Sequence, residues 1–574
     1  MKKKVLSVVL ASAMVLSLAA CGNSADTAAA PADTTAETTE ATAETTEPAA
    51  EVEAEVPSEL TDGKFAETRH ITVEVYDRGN DGGTDPTNNM YTDYIKKGML
   101  EDHNVEVEFV AVPRWTEGEE INNLLAGGTA PDICVTYSYP TIQTYASMGA
   151  VIDLAPFVDG YKAELPNLWD WLGEDNIYYD KDPATGEIWA VEGKRNNINR
   201  ITTFVRQDWL ETLGLAAPTT TQEFEDMLVA FQENADTLLG ADASKMVPFS
   251  VSYDVGWRAA NLIESYIDPA ITDKEFYVNG FDDRKYTENG TKEAVRLLNK
   301  WYNMGLIWKD FALYPSGDST EDDMMKAGYV GAFMHNFDYP FRNGDDSINA
   351  NLQRLVGENA KFVAVDCFQA SNGKYQKWSY SAAGDRKIFF PTTNDEPLAS
   401  MLYLDWISDP AHVEYLQLGD EGVTHEKLDG GVVKTLSAEG DAIMNSGNNI
   451  DLTITCNGLR LVAGDDATNA SLAYGYGTGE TDPQVVVDSI KTCNTDALLP
   501  KAVNVGAITA EEGMGEALNG KRDVAFDTAV VAAEADFDSV WDAAMDDYLS
   551  SGGQAIIDER TEKWDATYGS DMLN

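Results

Sequence analysis

The chain has 574 residues, 43% of them hydrophobic and 10% aromatic, with a formal net charge of -56 and a pI near 4.2. The apolar content is that of a globular protein, and the length exceeds one core; roughly 150 residues per domain suggests about two to four units. The acidity argues against nucleic acid and against adhesion to anionic lipid, which both need basic patches, and fits a secreted, self-repelling surface.

Three lysines at positions 2–4 precede a short apolar run that ends in Leu18-Ala19-Ala20-Cys21. The positive start and short apolar stretch read as a secretory signal over residues 1–20. The run is shorter than the roughly 20 apolar residues of a membrane span. Leu18-Ala19-Ala20-Cys21 resembles a bacterial lipobox. The resemblance implies that Cys21 is lipidated on its thiol and becomes the first residue of the mature chain. The protein would then be held on the extracytoplasmic face of the cell membrane by acyl chains such as palmitate. A plain secretory signal with an incidental cysteine is the other reading.

Residues 21–62 are mostly Ala, Thr, Glu, Asp and Pro, with no Lys, Arg or aromatic. Such a stretch buries too little apolar surface to offset its ordering entropy, and reads as a disordered acidic stalk. An O-glycosylated mucin-like stretch fits the same composition.

The folded body starts near Phe65. His70-Ile-Thr-Val-Glu-Val-Tyr76 alternates with period two and predicts a strand. Residues 90–100 have helical spacing, and Val105-Glu-Val-Glu-Phe-Val-Ala-Val112 predicts a second strand. Residues 116–126 predict a helix stopped by Gly127-Gly128, before a third strand over Asp132-Ile-Cys-Val-Thr136. A short helix over 142–146 leads to Val151-Ile-Asp-Leu154. This alternation argues for βαβ units and an α/β fold with a mostly parallel sheet. Downstream, Phe224, Met227, Leu228 and Phe231 share a helix face, as do Ala294, Leu297, Leu298 and Trp301. Tyr329-Val-Gly-Ala-Phe-Met334 and Phe362-Val-Ala-Val-Asp366 predict buried strands. Residues 397–407 and 536–548 predict helices. Residues 439–500 are polar and weakly periodic, and yield no order of elements.

No catalytic pattern is visible. The five histidines (His70, His103, His335, His412 and His425) make no HExxH pair, and there is no G-x-S-x-G elbow, P-loop or dinucleotide fingerprint. Asp180-Lys-Asp182-Pro-Ala-Thr-Gly186-Glu187 suggests a calcium loop but lacks the twelve-residue ligand set; Asp-Pro and Thr-Gly read as a turn. The expectation is a protein that is not an enzyme and carries no cofactor and no metal. Cys134, in an apolar run, reads as a buried thiol. Cys456 and Cys493 are a possible pair.

The stretches 125–133, 149–154, 182–191, 202–224, 416–423 and 548–553, taken in this order, resemble motifs of bacterial extracellular solute-binding proteins of family 1, the maltose-binding-like group that serves ABC importers. Leu125 to Ile133 matches that group's LxxGxxPDI. Gly149-Ala-Val-Ile-Asp-Leu154 matches its following segment, and Asp182-Pro-Ala-Thr-Gly-Glu-Ile-Trp-Ala-Val191 its hairpin. Thr202 to Leu215 followed by Pro218-Thr-Thr-Thr-Gln-Glu-Phe224 resembles the opening of its second lobe. Thr221 and Gln222 replace that group's usual aromatic and first acidic residue. Leu416-Gln-Leu-Gly-Asp-Glu-Gly-Val423 and Tyr548-Leu-Ser-Ser-Gly-Gly553 resemble its large lipoprotein branch.

The resemblance implies an α/β, two-lobed, periplasmic-binding-protein-like (type II) fold with three interlobe crossings. The N-terminal lobe would span 65–198 plus 328–372, and the C-terminal lobe 203–322 plus 385–574. It implies a monomer that binds a carbohydrate between the lobes and docks on ABC permease subunits, with no nucleic acid partner; other solutes, peptides among them, are the alternative. A surface polysaccharide-processing enzyme is a more distant one.

Aromatic residues stand where the predicted strands end, the place where open α/β sheets bind ligands. Flat rings stack on sugar faces, while Asp, Arg and Asn bond hydroxyls. The expected contacts are Asp77, Arg78, Trp115, Tyr137, Tyr139, Tyr253, Trp257, His335, Asn336, Tyr339 and Trp378. Trp169 and Trp171 alternate within an apolar stretch and read as packing residues.

Overall fold

A computed structural model describes residues 59–569, apart from 80–82, 184, 281–286, 288, 315–317, 343, 477–481, 502, 507 and 512. The signal segment, Cys21 and nearly all of the expected stalk lie outside the described residues.

The first βαβ unit follows directly from its sequence. The Arg69–Asp77 strand runs parallel to Val105–Pro113 through a nine-residue register. Helix Met90–His103 makes the crossover a parallel pair requires. Its first turn is held by a capping box between Asn89 and Thr92, and its end turns on Asn104 in the left-handed region (φ 60°). Helix Glu117–Gly127 ends on Gly128 (φ 65°), as the glycine pair predicts. Ile133 bridges to Val73 in parallel. Cys134–Thr136 then pairs with Lys387–Phe389, which also pairs with Val191–Glu192, both antiparallel.

These strands share one hydrophobic core, with Ile71, Val73, Ile95, Leu168, Leu172, Ile388 and Leu402 buried in it. A smaller cluster around Val112, Ile142 and Phe389 lies on the same segments. Trp171 is buried, and Trp169 packs against this core, in keeping with their alternating pattern.

A second core forms around a four-stranded sheet in the order Phe362–Val365, Ile201–Arg206, Val330–Asn336, Val247–Ser250. The first two contacts are antiparallel and the last parallel. Helix Thr221–Glu233 buries Phe224, Met227, Leu228 and Phe231 here, and Ala294, Leu298 and Trp301 of helix Asn289–Asn303 join them. The C-terminal helices Gly515–Val531, Phe537–Tyr548 and Gln554–Tyr568 close the same core through Phe526, Trp541 and Trp564.

The order of segments differs from the expectation in two places. Residues 328–372 do not return to the first lobe, because both strands of that segment belong to the second sheet. Gly331 shows why the fit is tight there: a Cβ would meet Trp209 at 2.7 Å and Phe231 at 2.8 Å. Conversely, residues 385–416 pack in the first core, where Leu398, Met401, Leu402 and Trp406 are buried. The Trp406 indole donates to Asp102 at 2.9 Å, and a Cβ at Gly98 would meet its ring at 2.2 Å. No exchange between the cores takes place at 322–329, since Met325 and Val330 share one core. The chain passes between cores at 192–200 and 369–387, again beyond Leu416, back between Val433 and Leu452, and once more around Asn457.

The unordered stretch 439–500 holds two helices, Asp465–Tyr476 and Pro483–Asn494. The second starts on an Asp482 cap with Pro at its first position, a signal present in the sequence. Cys456 and Cys493 are not bridged: both are free and buried, one in each core, and Cys134 is free and buried in the smaller cluster.

Candidate functional site

A cavity of about 770 Å³ lies between the two cores, within the roughly 300–1,000 Å³ of small-molecule sites. One wall comes from the first core: Tyr137 and Tyr139 just after the Cys134–Thr136 strand, Tyr179 and Asp180 after helix Pro166–Ile177, and Lys387. The other comes from the second core: Tyr277 on helix Asp273–Val278, Asn504 to Gly506, Glu511, Asn519 and Arg560. Four tyrosines, two of them already expected from sequence, therefore face a space bounded by amides and charged groups.

The first wall is fixed by hydrogen bonds. Tyr139 Oη donates to the Asp180 carbonyl at 2.7 Å. Tyr137 Oη accepts from Arg386 Nε at 3.0 Å, and the Arg114 guanidinium sits 4.5 Å from the Tyr137 ring centroid. Behind the tyrosines, Lys387 Nζ donates to Glu192 Oε1 at 2.7 Å and to the Asp385 carbonyl at 2.8 Å. The Asp180 and Glu192 carboxyls are buried against each other. Burial, then the neighbouring Glu192 charge, pushes Asp180 well above the usual carboxylate range. Burial likewise raises Glu192, against the pull of Lys387. Two carboxyls buried this close to each other disfavour a second negative charge.

On the second wall Arg560 Nε donates to Glu511 Oε1 at 2.6 Å and Nη1 to the Tyr277 carbonyl at 2.8 Å. Its guanidinium lies 4.7 Å from the Tyr277 ring centroid. Burial pushes the Tyr277 phenol up to about 12, so it stays a neutral donor and stacking surface.

Of the residues expected from sequence, Tyr137 and Tyr139 line this cavity. Asp77 and Arg78 follow the first strand as expected, but Arg78 is clamped by Asp451 through Nε (2.6 Å) and Nη2 (2.9 Å). Trp115 is 68% exposed, beside Arg114.

A second group of expected residues forms a cluster in the second core and does not line the cavity. His335 stacks on Tyr339 at 3.4 Å between centroids, meets Trp257 edge-on at 4.7 Å, and lies 3.4 Å from Tyr253 Oη. It is 3% exposed, and burial holds its imidazole well below the usual histidine range. Tyr339 Oη donates to Asp322 at 2.9 Å. His335 is buried, while Tyr253, Trp257 and Tyr339 are half-buried around it. Asn336 sits next to it and accepts from Tyr380 Oη. Trp378 stacks on Phe276 at 4.8 Å.

Sequence reasoning missed Tyr179, Tyr277, Lys387, Asn504, Glu511 and Arg560. Nothing local in the sequence brings 504–560 against 137–180; only the closing of the C-terminal helices over the second core does so. The loop between Lys181 and Ile188 is a turn, as read from Asp-Pro and Thr-Gly. The Gly186 N–H donates to the Asp182 carbonyl at 2.8 Å, and the Thr185 N–H to the Asp182 carboxylate at 3.0 Å.

Known proteins agree with this architecture. The pattern described as bacterial extracellular solute-binding protein matches residues 94–420, more than half of the chain. The Polygalacturonan/rhamnogalacturonan-binding protein YtcQ of Bacillus subtilis (strain 168) is 21% identical over 336 residues, 56% of this chain and 62% of YtcQ. Lipoprotein LipO of the same organism is 25% identical over 336 residues, 57% of this chain and 62% of LipO. The match thus spans less than two thirds of these two relatives. A solved structure of an HMO binding, ABC-transporter associated solute binding protein from Bifidobacterium longum infantis superposes with a TM-score of 0.58. It shares 15% identity and covers 87% of this chain and 99% of its own, which shows a common fold. This chain belongs to the bacterial extracellular solute-binding protein family.

Proposed function

We propose that this protein captures an oligosaccharide in the interlobe cavity and hands it to the permease of an ABC importer. The observation that carries the reading is the cavity itself. Tyrosine rings from both cores face one space, with Gln143, Asn504 and Asn519 amides among them. Rings stack on the apolar faces of sugars, and amides and carboxyls bond their hydroxyls. The polysaccharide-binding relative and the HMO binding structure support the same ligand class.

The mechanism is binding, not bond making. A ligand that touches both walls gains contacts only when the lobes are together, so it shifts the open–closed equilibrium by its differential affinity. Tyr137 and Tyr139 are the proposed contacts on the first wall, Tyr277 on the second, and Trp115 is an exposed platform at the end of its strand. Asp77, Arg78, Tyr253, Trp257, His335, Asn336, Tyr339 and Trp378 are proposed to hold the lobes in shape. Acylation at Cys21 would tether the protein beside its permease on the extracytoplasmic face, where it works as a monomer; mass spectrometry of the N-terminal peptide tests this.

Thermal-shift screening of the purified protein against oligosaccharides and peptides tests the ligand class. A ligand at one hundred times its Kd adds about 2.7 kcal/mol to stability. A rise in midpoint with an oligosaccharide is the expected result. A rise with a peptide and with no sugar sinks the proposal.

A further inference from the structure

We infer that the interlobe cavity selects uncharged oligosaccharides and turns away those that carry uronate carboxylates. This rests on the glycan-binding reading above and names the ligand class of the same site.

Four formally charged side chains line the cavity among its described residues: Asp180, Lys387, Glu511 and Arg560. Both cations already hold a carboxylate. Arg560 Nε is held by Glu511 at 2.6 Å, and its Nη1 is spent on the Tyr277 carbonyl. Lys387, 6% exposed, is held by Glu192 at 2.7 Å. Next to the cavity, Arg114 pairs with Glu117 at 3.3 Å.

The carboxyl side is closed as well. Asp180 is 1% exposed and Glu192 fully buried. The two carboxyls are close neighbours, and Asp180 Oδ2 and Glu192 Oε2 have no hydrogen-bond partner. Burial of two carboxyls beside the single Lys387 charge favours one negative charge on the pair. The Asp180–Glu192–Lys387 set then carries no net charge, and neither does Glu511–Arg560.

A uronate entering this space would lose its hydration without gaining a free cation. Uncompensated burial of a charge is strongly unfavourable, and Arg560, the arginine among the described lining residues, already holds Glu511. Neutral hydroxyls meet no such cost, and the Gln143 and Asn519 amides in the lining are suited to bond them. The net charge of -56 adds long-range repulsion of polyanions at low salt.

The test is titration calorimetry on the full-length protein, with neutral gluco-, manno-, xylo- and galacto-oligosaccharides against oligogalacturonates of matched length, at low and physiological salt. A neutral ligand is expected to bind, and the oligogalacturonates to give no heat at either salt. In Glu511→Gln the Arg560 charge is released into the cavity, and oligogalacturonate affinity should rise about tenfold or more, a gain that added salt removes. Oligogalacturonate binding to the unaltered protein as tight as the best neutral sugar overturns the inference and leaves the glycan reading standing. Glu511→Gln without any gain also overturns it. If no glycan of either kind binds and a peptide does, the glycan reading falls and this inference with it.

Discussion

The Asn504 side-chain amide donates to the main-chain carbonyl of Lys181 at 2.8 Å, and also to that of Tyr179. Tyr179 lines the first wall of the cavity, while Asn504 adjoins Val505 of the second core. One side chain thus joins both walls. Its own backbone is held independently, by Tyr568 Oη, which accepts from the Asn504 N–H and donates to its carbonyl.

Asn504→Ala should therefore loosen the closed cavity without dislodging the loop. Each lost bond is worth about 1 kcal/mol, so a roughly five- to thirtyfold loss of ligand affinity is expected. Most of it should appear as faster dissociation. Surface plasmon resonance with the best glycan from the screen measures both rates. An unchanged off-rate would mean that the amide does not latch the lobes.

Asp527 gives a prediction in pH. Burial, with help from the Asp523 and Asp254 charges, raises its carboxyl to about 7. An acid raised on folding lends its full stability below its unfolded value, near 3.9, and loses it as pH climbs through the folded one. The native state is therefore penalised from roughly pH 4 to pH 7, and fully penalised above. Asp527→Asn removes the penalty. Its melting midpoint should exceed that of the unaltered protein at pH 8, and the advantage should shrink towards pH 4. A constant difference across that range would sever the effect from the carboxyl.

The four described cysteines predict indifference to reductant. Each is free and buried, and burial pushes the Cys456 thiol up to about 12, so it is not a thiolate at neutral pH. A melting curve with dithiothreitol should overlay the one without it. A drop of several degrees would reveal a disulfide, and with it a different placement of 456 and 493.

The first βαβ unit was open to reading because period two, period 3.6 and a glycine stop fall within seventy residues of one another. Even Trp171 declared its packing role by its spacing. The lobe membership of 328–372 was not open to reading, because a buried strand looks the same in either sheet. Its place is decided by pairing with Ile201–Arg206 and Val247–Ser250, contacts remote in sequence. The site divides in the same way. Tyr137 and Tyr139 follow a legible strand, whereas Tyr277, Asn504 and Arg560 reach the cavity only through tertiary packing. His335 stands near the end of a strand and Tyr339 just after it, yet their rings turn to each other.

That last contrast can be tested with one pair of substitutions. Tyr139 lines the cavity and Trp257 packs edge-on against His335. Tyr139→Ala removes a stacking ring and should weaken glycan binding by about tenfold, for aromatic contributions near 1 kcal/mol or more. Its melting midpoint should move little by comparison. Trp257→Ala empties part of the second core and should cost up to about 3–5 kcal/mol of stability, while the Kd measured well below the midpoint stays within about twofold. Calorimetry of binding alongside thermal melts separates the two effects. If Trp257→Ala instead abolishes binding with its midpoint intact, ligand reaches the His335 cluster, and the binding surface extends across the second core.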